Sequence, residues 1–209
     1  KEAVEKTEKT LNDSNVHALI NAGAMSINLD FDHIVPDYDS MLELGFGGIL
    51  NRAQKAYDSL QEKTESQEAF FVALKIEYEA ILRFIDRLYK YSLSKSFDKQ
   101  KRISDSLKNL YNGAPQNSYD VLLMIYLYFM ISESIDHYQV RSLGYGLDAT
   151  LYPFYKKDIE NGTFTKNEIA TFIAYFLMQF SAMGNYWGQP MYLAGTKFDG
   201  STKVNELTY

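Results

Sequence analysis

Hydrophobic residues recur at every third or fourth position along most of the chain, a spacing that places them on one face of an α-helix. The longest such run begins behind Thr64 and Gln67, which form the capping-box pattern of a helix N-terminus. Its apolar positions are Phe70, Leu74, Tyr78, Ile81, Ile85 and Leu88. A second capping-box pattern, Thr165 with Glu168, precedes the apolar run 169–180. The hydrophobic pattern therefore predicts a mainly α-helical chain.

The same spacing, together with capping and stop signals, predicts further helices. They cover about 1–22, 38–60, 98–110, 121–131 and 148–160, and the first is expected to break near 12–14. Asn117 or Ser118 is the predicted N-cap of the helix that contains 121–131. Gly45, Gly47 and Gly48 lie inside the helix at 38–60, and so many glycines in one helix indicate close approach by another backbone.

Two apolar stretches require neighbours that the pattern does not provide. The run 121–131 is apolar on every side, so its helix is expected at the centre of a core. Residues 191–194 form a short apolar stretch that predicts a buried strand, while 24–36 and 137–146 are predicted to be extended or irregular. A buried strand without a partner would leave its backbone groups unpaired. We therefore expect 1–209 to be a single unit that is an internal part of a longer protein.

Composition and charge narrow the classes of partner and site. The net charge is −6, and the lysines and arginines are scattered, so no basic surface for nucleic acid is predicted. The chain has no cysteine, which excludes disulfides, thiolate metal sites and cysteine nucleophiles within it. The longest apolar run is too short for a membrane helix, and the first residues do not resemble a secretory signal. We expect a soluble, cytoplasmic protein with no membrane partner.

The histidines offer one candidate site. His17, His33 and His137 do not stand at the spacing of a helical metal site, and no metal site is predicted. His33 is of more interest because it lies in non-helical backbone close to Asp32 and Asp37, and residues in loops often carry function. A structural role for this imidazole explains the same pattern equally well.

A second candidate site follows the apolar helix. Gln139, Val140 and Arg141 lie in a stretch predicted to be irregular. An arginine at the mouth of a core is suited to bind a carboxylate through paired hydrogen bonds. An arginine on the protein surface is the other interpretation, and the residues alone leave both open.

Several stretches, taken in order from His33 to Tyr209, resemble the pyruvate formate-lyase family of glycyl radical enzymes. They are the sequence HIVPDY at 33–38 followed by Gly45, LYPFYKKDIENG at 151–162, Ala194-Gly195 with Asp199-Gly200, and VNELTY at 204–209. The order and spacing of these stretches carry the resemblance more than any one of them.

The resemblance implies a ten-stranded α/β barrel wrapped in helices, of which this chain would supply helices and about one strand near its C-terminus. It implies an anaerobic enzyme, a homodimer at full length, in which a glycyl radical oxidises a cysteine and the thiyl radical abstracts hydrogen from the substrate. A partner enzyme with an iron–sulfur cluster and S-adenosylmethionine would install the radical. The cysteine loop and the radical glycine motif do not occur in this sequence, so the chain alone would hold no catalytic residue and no cofactor.

The resemblance also implies substrate contacts. His33 corresponds to a position where several dehydratases of the family have a substrate-facing histidine and pyruvate formate-lyase has an arginine. The stretch with Gln139, Val140 and Arg141 is similar to one that carries another polar pocket residue, and Met25 corresponds to a position near the pocket. The histidine favours a dehydratase or lyase that cleaves a C–O or C–C bond of a small polar metabolite. The alternatives are pyruvate formate-lyase proper and a non-catalytic helical protein that binds a partner.

Overall fold

The structure is a computed structural model that describes residues 2–12, 16–26, 35–135, 143–182 and 191–209. The chain divides into two compact units, Lys1–His33 and Ile34–Tyr209. The predicted site residues His33, Gln139, Val140 and Arg141 lie outside the described residues. Residues 27–34 of the predicted extended segment 24–36 and residues 137–142 of the irregular segment 137–146 also lie outside them.

The first unit contains two short helices, α1 at Glu2–Asn12 and α2 at Val16–Asn21, which confirms the predicted break. Gly23 ends the second helix with a φ of 69°. The Gly23 amide donates to the Ile20 carbonyl at 2.9 Å, and the Ala24 amide donates to the Leu19 carbonyl at 2.9 Å. This pair of hydrogen bonds is a Schellman motif, which requires the left-handed conformation that glycine adopts without strain.

The second unit contains six long helices, two short parallel strands and one turn of 3-10 helix among its described residues. The helices are α3 at Tyr38–Ser59, α4 at Glu65–Leu93, α5 at Gln100–Asn112, α6 at Ser118–Ile135, α7 at Leu147–Asn161 and α8 at Lys166–Ala182. The strands are β1 at Gly144–Tyr145 and β2 at Met191–Tyr192, and the 3-10 helix covers Glu206–Thr208. The mainly helical prediction is confirmed, with each helix within a few residues of its expected bounds.

Helix starts follow the predicted capping chemistry. The Thr64 hydroxyl accepts a hydrogen bond from the Gln67 amide at 3.2 Å, and the Gln67 side chain accepts one from the Thr64 amide at 2.9 Å. Thr165 and Glu168 make the same reciprocal pair at 3.0 and 3.2 Å. Asn117 caps α6 by accepting from the Asp120 amide at 2.9 Å. Each cap satisfies amides that the first helical turn leaves unpaired.

The close backbone approach predicted from the glycines of α3 occurs at Gly45. Its φ of 65° and ψ of 173° interrupt the helix and give it a kink. A β-carbon built on Gly45 would lie 2.3 Å from the Gly113 carbonyl oxygen, so the turn after α5 packs directly against this backbone. Gly47 has open space around it, and the shortest contact of a β-carbon on Gly48 is with Leu44 of the same helix.

Helix α6 lies at the centre of the second unit, as predicted from its apolar surface. On one side it packs in a cluster with α7 and α8, and on the other in a cluster with α3, α4 and α5. In the part of the chain that the structure describes, α6 alone has the length and apolar composition of a membrane-crossing helix, and 50% of it is buried inside the fold. That burial is typical of a core helix.

A strand forms within the predicted stretch 191–194, but the prediction that it is unpaired and buried is wrong. Strand β2 covers only Met191–Tyr192 and pairs in parallel with β1, with Gly144 opposite Met191 and Tyr145 opposite Tyr192. Tyr192 and Leu193 are exposed. The partner strand was missed because two residues between Gly144 and Gly146 show no alternation, and a parallel pairing is not visible in local sequence.

Candidate functional site

Of the five predicted site residues, the structure describes Met25. Met25 lies after α2 in the first unit and is 40% exposed. The 35–38 stretch follows the segment that holds His33, and Leu143 follows the segment that holds Gln139, Val140 and Arg141. Among the described residues, no group of three or more histidines, aspartates and glutamates could hold a metal ion.

The ends of these two segments contact each other in the second unit. The Tyr38 hydroxyl donates a hydrogen bond of 2.7 Å to the Leu143 carbonyl oxygen. Gly144 packs so closely that a β-carbon on it would lie 2.6 Å from the Val35 Cγ1 and 3.7 Å from the Tyr38 Cε2. Its φ of 74° is also one that glycine adopts readily. The start of α3 and the start of β1 are therefore held together by one buried hydrogen bond and by direct packing.

The local sequence explains why Tyr38 points to β1. Asp37 caps α3 by accepting from the Ser40 amide at 3.1 Å. A hydrogen bond from the Ser40 hydroxyl, together with the one from the amide, lowers the pKa of the Asp37 carboxyl. The cap fixes the first turn of α3, in which Tyr38 is only 8% exposed. Burial, with Tyr128 nearby, raises the pKa of the Tyr38 phenol, so this group is a neutral hydrogen-bond donor.

A second polar centre lies at the carboxyl end of the parallel pair. The Gly146 amide donates to the Tyr192 carbonyl at 2.8 Å, and α7 starts at the next residue. Asp148, in the first turn of α7, is 3% exposed. Its Oδ2 accepts from the Ala194 amide at 3.0 Å and from the Thr208 hydroxyl at 2.5 Å. Asp148 thus connects α7 by hydrogen bonds to Ala194, which follows β2, and to Thr208 of the 3-10 helix.

The electrostatics of this centre favour the carboxylate. Burial raises the pKa of Asp148. The hydrogen bonds from Thr208 and Ala194 lower it by more than burial raises it, so the net shift is downward. Ala194 itself has a φ of 60°, a left-handed conformation that is uncommon for a residue with a side chain. Close by in sequence, Glu206 accepts from the Tyr155 hydroxyl at 2.5 Å and from the Lys166 ammonium at 3.3 Å.

A groove of about 540 Å³ runs between α5, α6 and α8. Arg102 lies in it, 4.7 Å from the centroid of the Phe172 ring and 3.1 Å from a carboxylate oxygen of Glu168. Both interactions occupy the guanidinium, so its charge is balanced within the chain. The groove offers mainly apolar surface to an occupant.

Sequence reasoning missed Tyr38 and Asp148. Tyr38 stands in the HIVPDY stretch at the start of one predicted helix, and Asp148 stands at the start of another, so neither position indicates a polar anchor. Their partners, Leu143 and Thr208, are distant in sequence, so no spacing pattern connects them. An acid flanked by Leu147 and Leu151, both buried, is the one local signal that Asp148 faces the interior.

Comparison with known proteins places these features in a family context. The family model described as pyruvate formate lyase-like matches residues 6–209. The chain is 25% identical over 207 residues to (2S)-3-sulfopropanediol dehydratase of Klebsiella oxytoca, covering 84% of this chain and 24% of that protein. It is 24% identical over 201 residues to the 4-hydroxyphenylacetate decarboxylase glycyl radical subunit of Clostridioides difficile, covering 83% and 22%.

A solved structure shares the fold. The B12-independent glycerol dehydratase of Clostridium butyricum superposes with a TM-score of 0.72 at 18% identity, over 84% of this chain and 25% of that one. The chain spans about a quarter of the length of the proteins it matches.

Proposed function

Because the chain belongs to the pyruvate formate lyase-like family, we propose that it is part of a glycyl radical enzyme that cleaves a C–O or C–C bond of a small polar metabolite. The observation that carries this proposal is the family match over residues 6–209. The relatives support the dehydratase or lyase branch, since one is a sulfopropanediol dehydratase and another a decarboxylase glycyl radical subunit. The structural likeness to a glycerol dehydratase agrees with that branch.

Within the full enzyme, 1–209 is proposed to be an internal segment of one pyruvate formate-lyase-type domain. Its helices would form part of the wrapping of a ten-stranded barrel. The parallel pair β1 and β2 would belong to that barrel, because parallel strands need covered faces and further strands to be stable.

The radical itself would reside outside these residues. When present, the glycyl radical and its cysteine supply hydrogen abstraction from the substrate. The chain has no cysteine and is not suited to carry the thiyl radical. The proposed partners are a small-molecule substrate, the remainder of the enzyme, a second subunit and a radical-activating enzyme with an iron–sulfur cluster and S-adenosylmethionine. The proposed location is the cytoplasm.

The contribution of this chain is proposed to be substrate binding. His33 would donate a hydrogen bond to a substrate hydroxyl or pair with a carboxylate. Gln139 and Arg141 would supply further polar contacts, with Val140 and Met25 as apolar neighbours of the substrate. The support for these contacts is the sequence resemblance of the stretches that contain them.

Radical formation in the full-length protein tests this function. The protein is incubated without oxygen with its activating enzyme and S-adenosylmethionine, and electron paramagnetic resonance is recorded. A glycyl radical doublet is expected, followed by turnover of a 1,2-diol to an aldehyde or ketone with loss of water. Absence of the doublet under conditions that activate a related dehydratase would overturn the proposed function.

Two histidine variants test the binding role. His33→Ala should raise KM for the substrate about tenfold or more, since a lost hydrogen bond to substrate is worth roughly 1–2 kcal/mol. His17→Ala is the matched control, because His17 is an exposed residue of α2. Equal KM values for the two variants would contradict a role for His33 in the pocket.

A further inference from the structure

We propose that the outer stripe of α4 binds the same stripe of a second copy of this chain, with the two helices antiparallel. The inference deepens the proposed function, on which it rests for the presence of a second subunit, and it names the surface through which that subunit binds. The outer stripe is one face of the helix, with positions three or four residues apart, and consists of Glu65, Ala69, Val72, Ile76, Ala80, Arg83 and Arg87. All of these residues are exposed.

The outer stripe is apolar where a surface helix is normally polar. The other side of α4 packs into a hydrophobic cluster with α3, α5 and α6. Ile85 lies on that side, two and a half turns from Ile76, and is fully buried. Val72 and Ile76 are 55% and 61% exposed. Because the core is already covered by one face of α4, adjacent aliphatic residues on the opposite face indicate a contact surface.

The surface around Val72 and Ile76 is shaped for a second helix. Ala69 and Ala80 stand on either side of this aliphatic pair, and their small side chains allow helix axes to approach to the usual packing distance of about 8–10 Å. Val72 also borders a groove of about 210 Å³ between α3 and α4, whose lining includes Leu50, Tyr57 and Phe71. The apolar surface is therefore wider than one helix face.

The charges at the two ends of the outer stripe favour a second copy as the partner. Glu65 lies at the N-terminal end, and Arg83 and Arg87 lie at the C-terminal end. An antiparallel copy presents its arginines to the acidic end and its glutamate to the basic end. A parallel copy would place like charges opposite one another, which is repulsive. The charge pattern therefore selects the antiparallel orientation.

A twofold axis at Ile76 pairs every position of the outer stripe with another position of the same stripe. Ile76 then meets the partner's Ile76, and the pairs counted outward in both directions are Val72 with Ala80, Ala69 with Arg83 and Glu65 with Arg87. Arg83 is 3.7 Å from Glu79 of its own chain, so its charge is balanced there while its aliphatic stem covers the partner's Ala69. Such self-complementarity is the defining property of an isologous interface.

Charge reversal and rescue in the full-length protein test the antiparallel pairing. Glu65→Arg and Arg87→Glu should each raise the dimer Kd at least about tenfold, because each places like charges opposite one another in both symmetry-related contacts. The double variant restores opposite charges and should return the Kd to within about threefold of the wild type. The two positions are about 33 Å apart along one helix, so rescue requires contact between two copies. Sedimentation equilibrium measures the Kd.

A substitution at the axis tests the apolar centre of the interface. Ile76→Glu brings two carboxylates together and should raise the dimer Kd at least about a hundredfold. Phe70→Glu is the matched control, because Phe70 is 59% exposed and lies about 120° round the helix from Ile76. The control should keep the Kd within about threefold of the wild type. Circular dichroism checks that both exposed-site variants retain their helices.

Three results would overturn the inference. They are a monomeric wild type, a dimer whose Kd is unchanged by Ile76→Glu, and a double variant that dimerises no better than the single charge reversals. An unchanged Kd in Ile76→Glu would mean that another surface forms the dimer or that the remainder of the protein covers the outer stripe. These measurements need no radical. A protein that dimerises as expected but forms no glycyl radical would refute the proposed function and support the interface.

Discussion

Replacement of Gly45 by alanine tests how closely α3 and the turn after α5 approach. At φ 65° and ψ 173°, Gly45 has a conformation that residues with a side chain rarely adopt. The new β-carbon would lie 2.3 Å from the Gly113 oxygen, 2.5 Å from the Gly113 carbonyl carbon and 2.8 Å from the Ala114 nitrogen. All three are backbone atoms, so a change of side-chain rotamer cannot relieve the overlap.

The size of the effect can be worked out from two contributions. Backbone strain at such a position costs about 1–3 kcal/mol, and overpacking in a close contact costs about 1–3 kcal/mol more. The free energy of unfolding should therefore fall by roughly 2–6 kcal/mol in Gly45→Ala. Gly47→Ala is the matched control two residues away, because Gly47 is helical and a β-carbon there meets nothing within 4 Å. Alanine should stabilise that position by about 0.5–1 kcal/mol.

The assay is urea unfolding followed by circular dichroism of the helices. For a slope of about 2 kcal/mol per molar urea, Gly45→Ala should lower the midpoint by about 1–3 M and Gly47→Ala should raise it by about 0.25–0.5 M. A Gly45→Ala midpoint equal to or above that of the wild type would refute the close approach and the helix kink that depends on it.

Two further predictions concern the carboxyl end of the parallel strands. Ala194→Gly should raise the free energy of unfolding by about 1 kcal/mol, because φ is 60° at this residue and glycine adopts that angle without strain; an unchanged or lower thermal midpoint would contradict this. Asp148→Asn should cost about 1–3 kcal/mol at pH 7 through its hydrogen bonds to Ala194 and Thr208. Since the folded-state pKa of Asp148 is lowered from 3.8, this difference from wild type should be full above pH 3.8 and shrink as the pH falls through the folded-state pKa. Urea midpoints of both proteins at pH 7 and pH 3 check the sign, and a difference that grows on acidification would refute it.

The helices could be predicted because their signals are local. The capping boxes at Thr64 and Thr165 depend on residues within one turn, and both are present in the structure. The predicted apolar face of α4 does not match the buried face at the start of the helix. Phe70 belongs to that run, but it lies near the end of the α3–α4 hairpin and is 59% exposed.

The strands and the polar anchors could not be predicted because their partners are distant. Gly144 pairs with Met191, and Tyr38 reaches Leu143 across 105 positions of sequence. Asp148 and Thr208 are 60 positions apart. Hydrophobic spacing reports only which face of an element is buried, and it contains no information on which distant element covers that face. The proposed contacts His33 and Arg141 came from the resemblance and remain predictions.

The central position of α6 has a consequence for how the second unit loses its structure. Val121, Ile125 and Phe129 belong to the cluster with α7 and α8, whereas Met124 and Leu127 belong to the cluster with α3, α4 and α5. Helix α6 therefore contributes to both hydrophobic clusters, and detaching it would expose apolar surface in both clusters at once. If the helices of one cluster unfolded alone, α6 would lose the packing on that side and the other cluster would be weakened. The two clusters should therefore unfold in a single cooperative step.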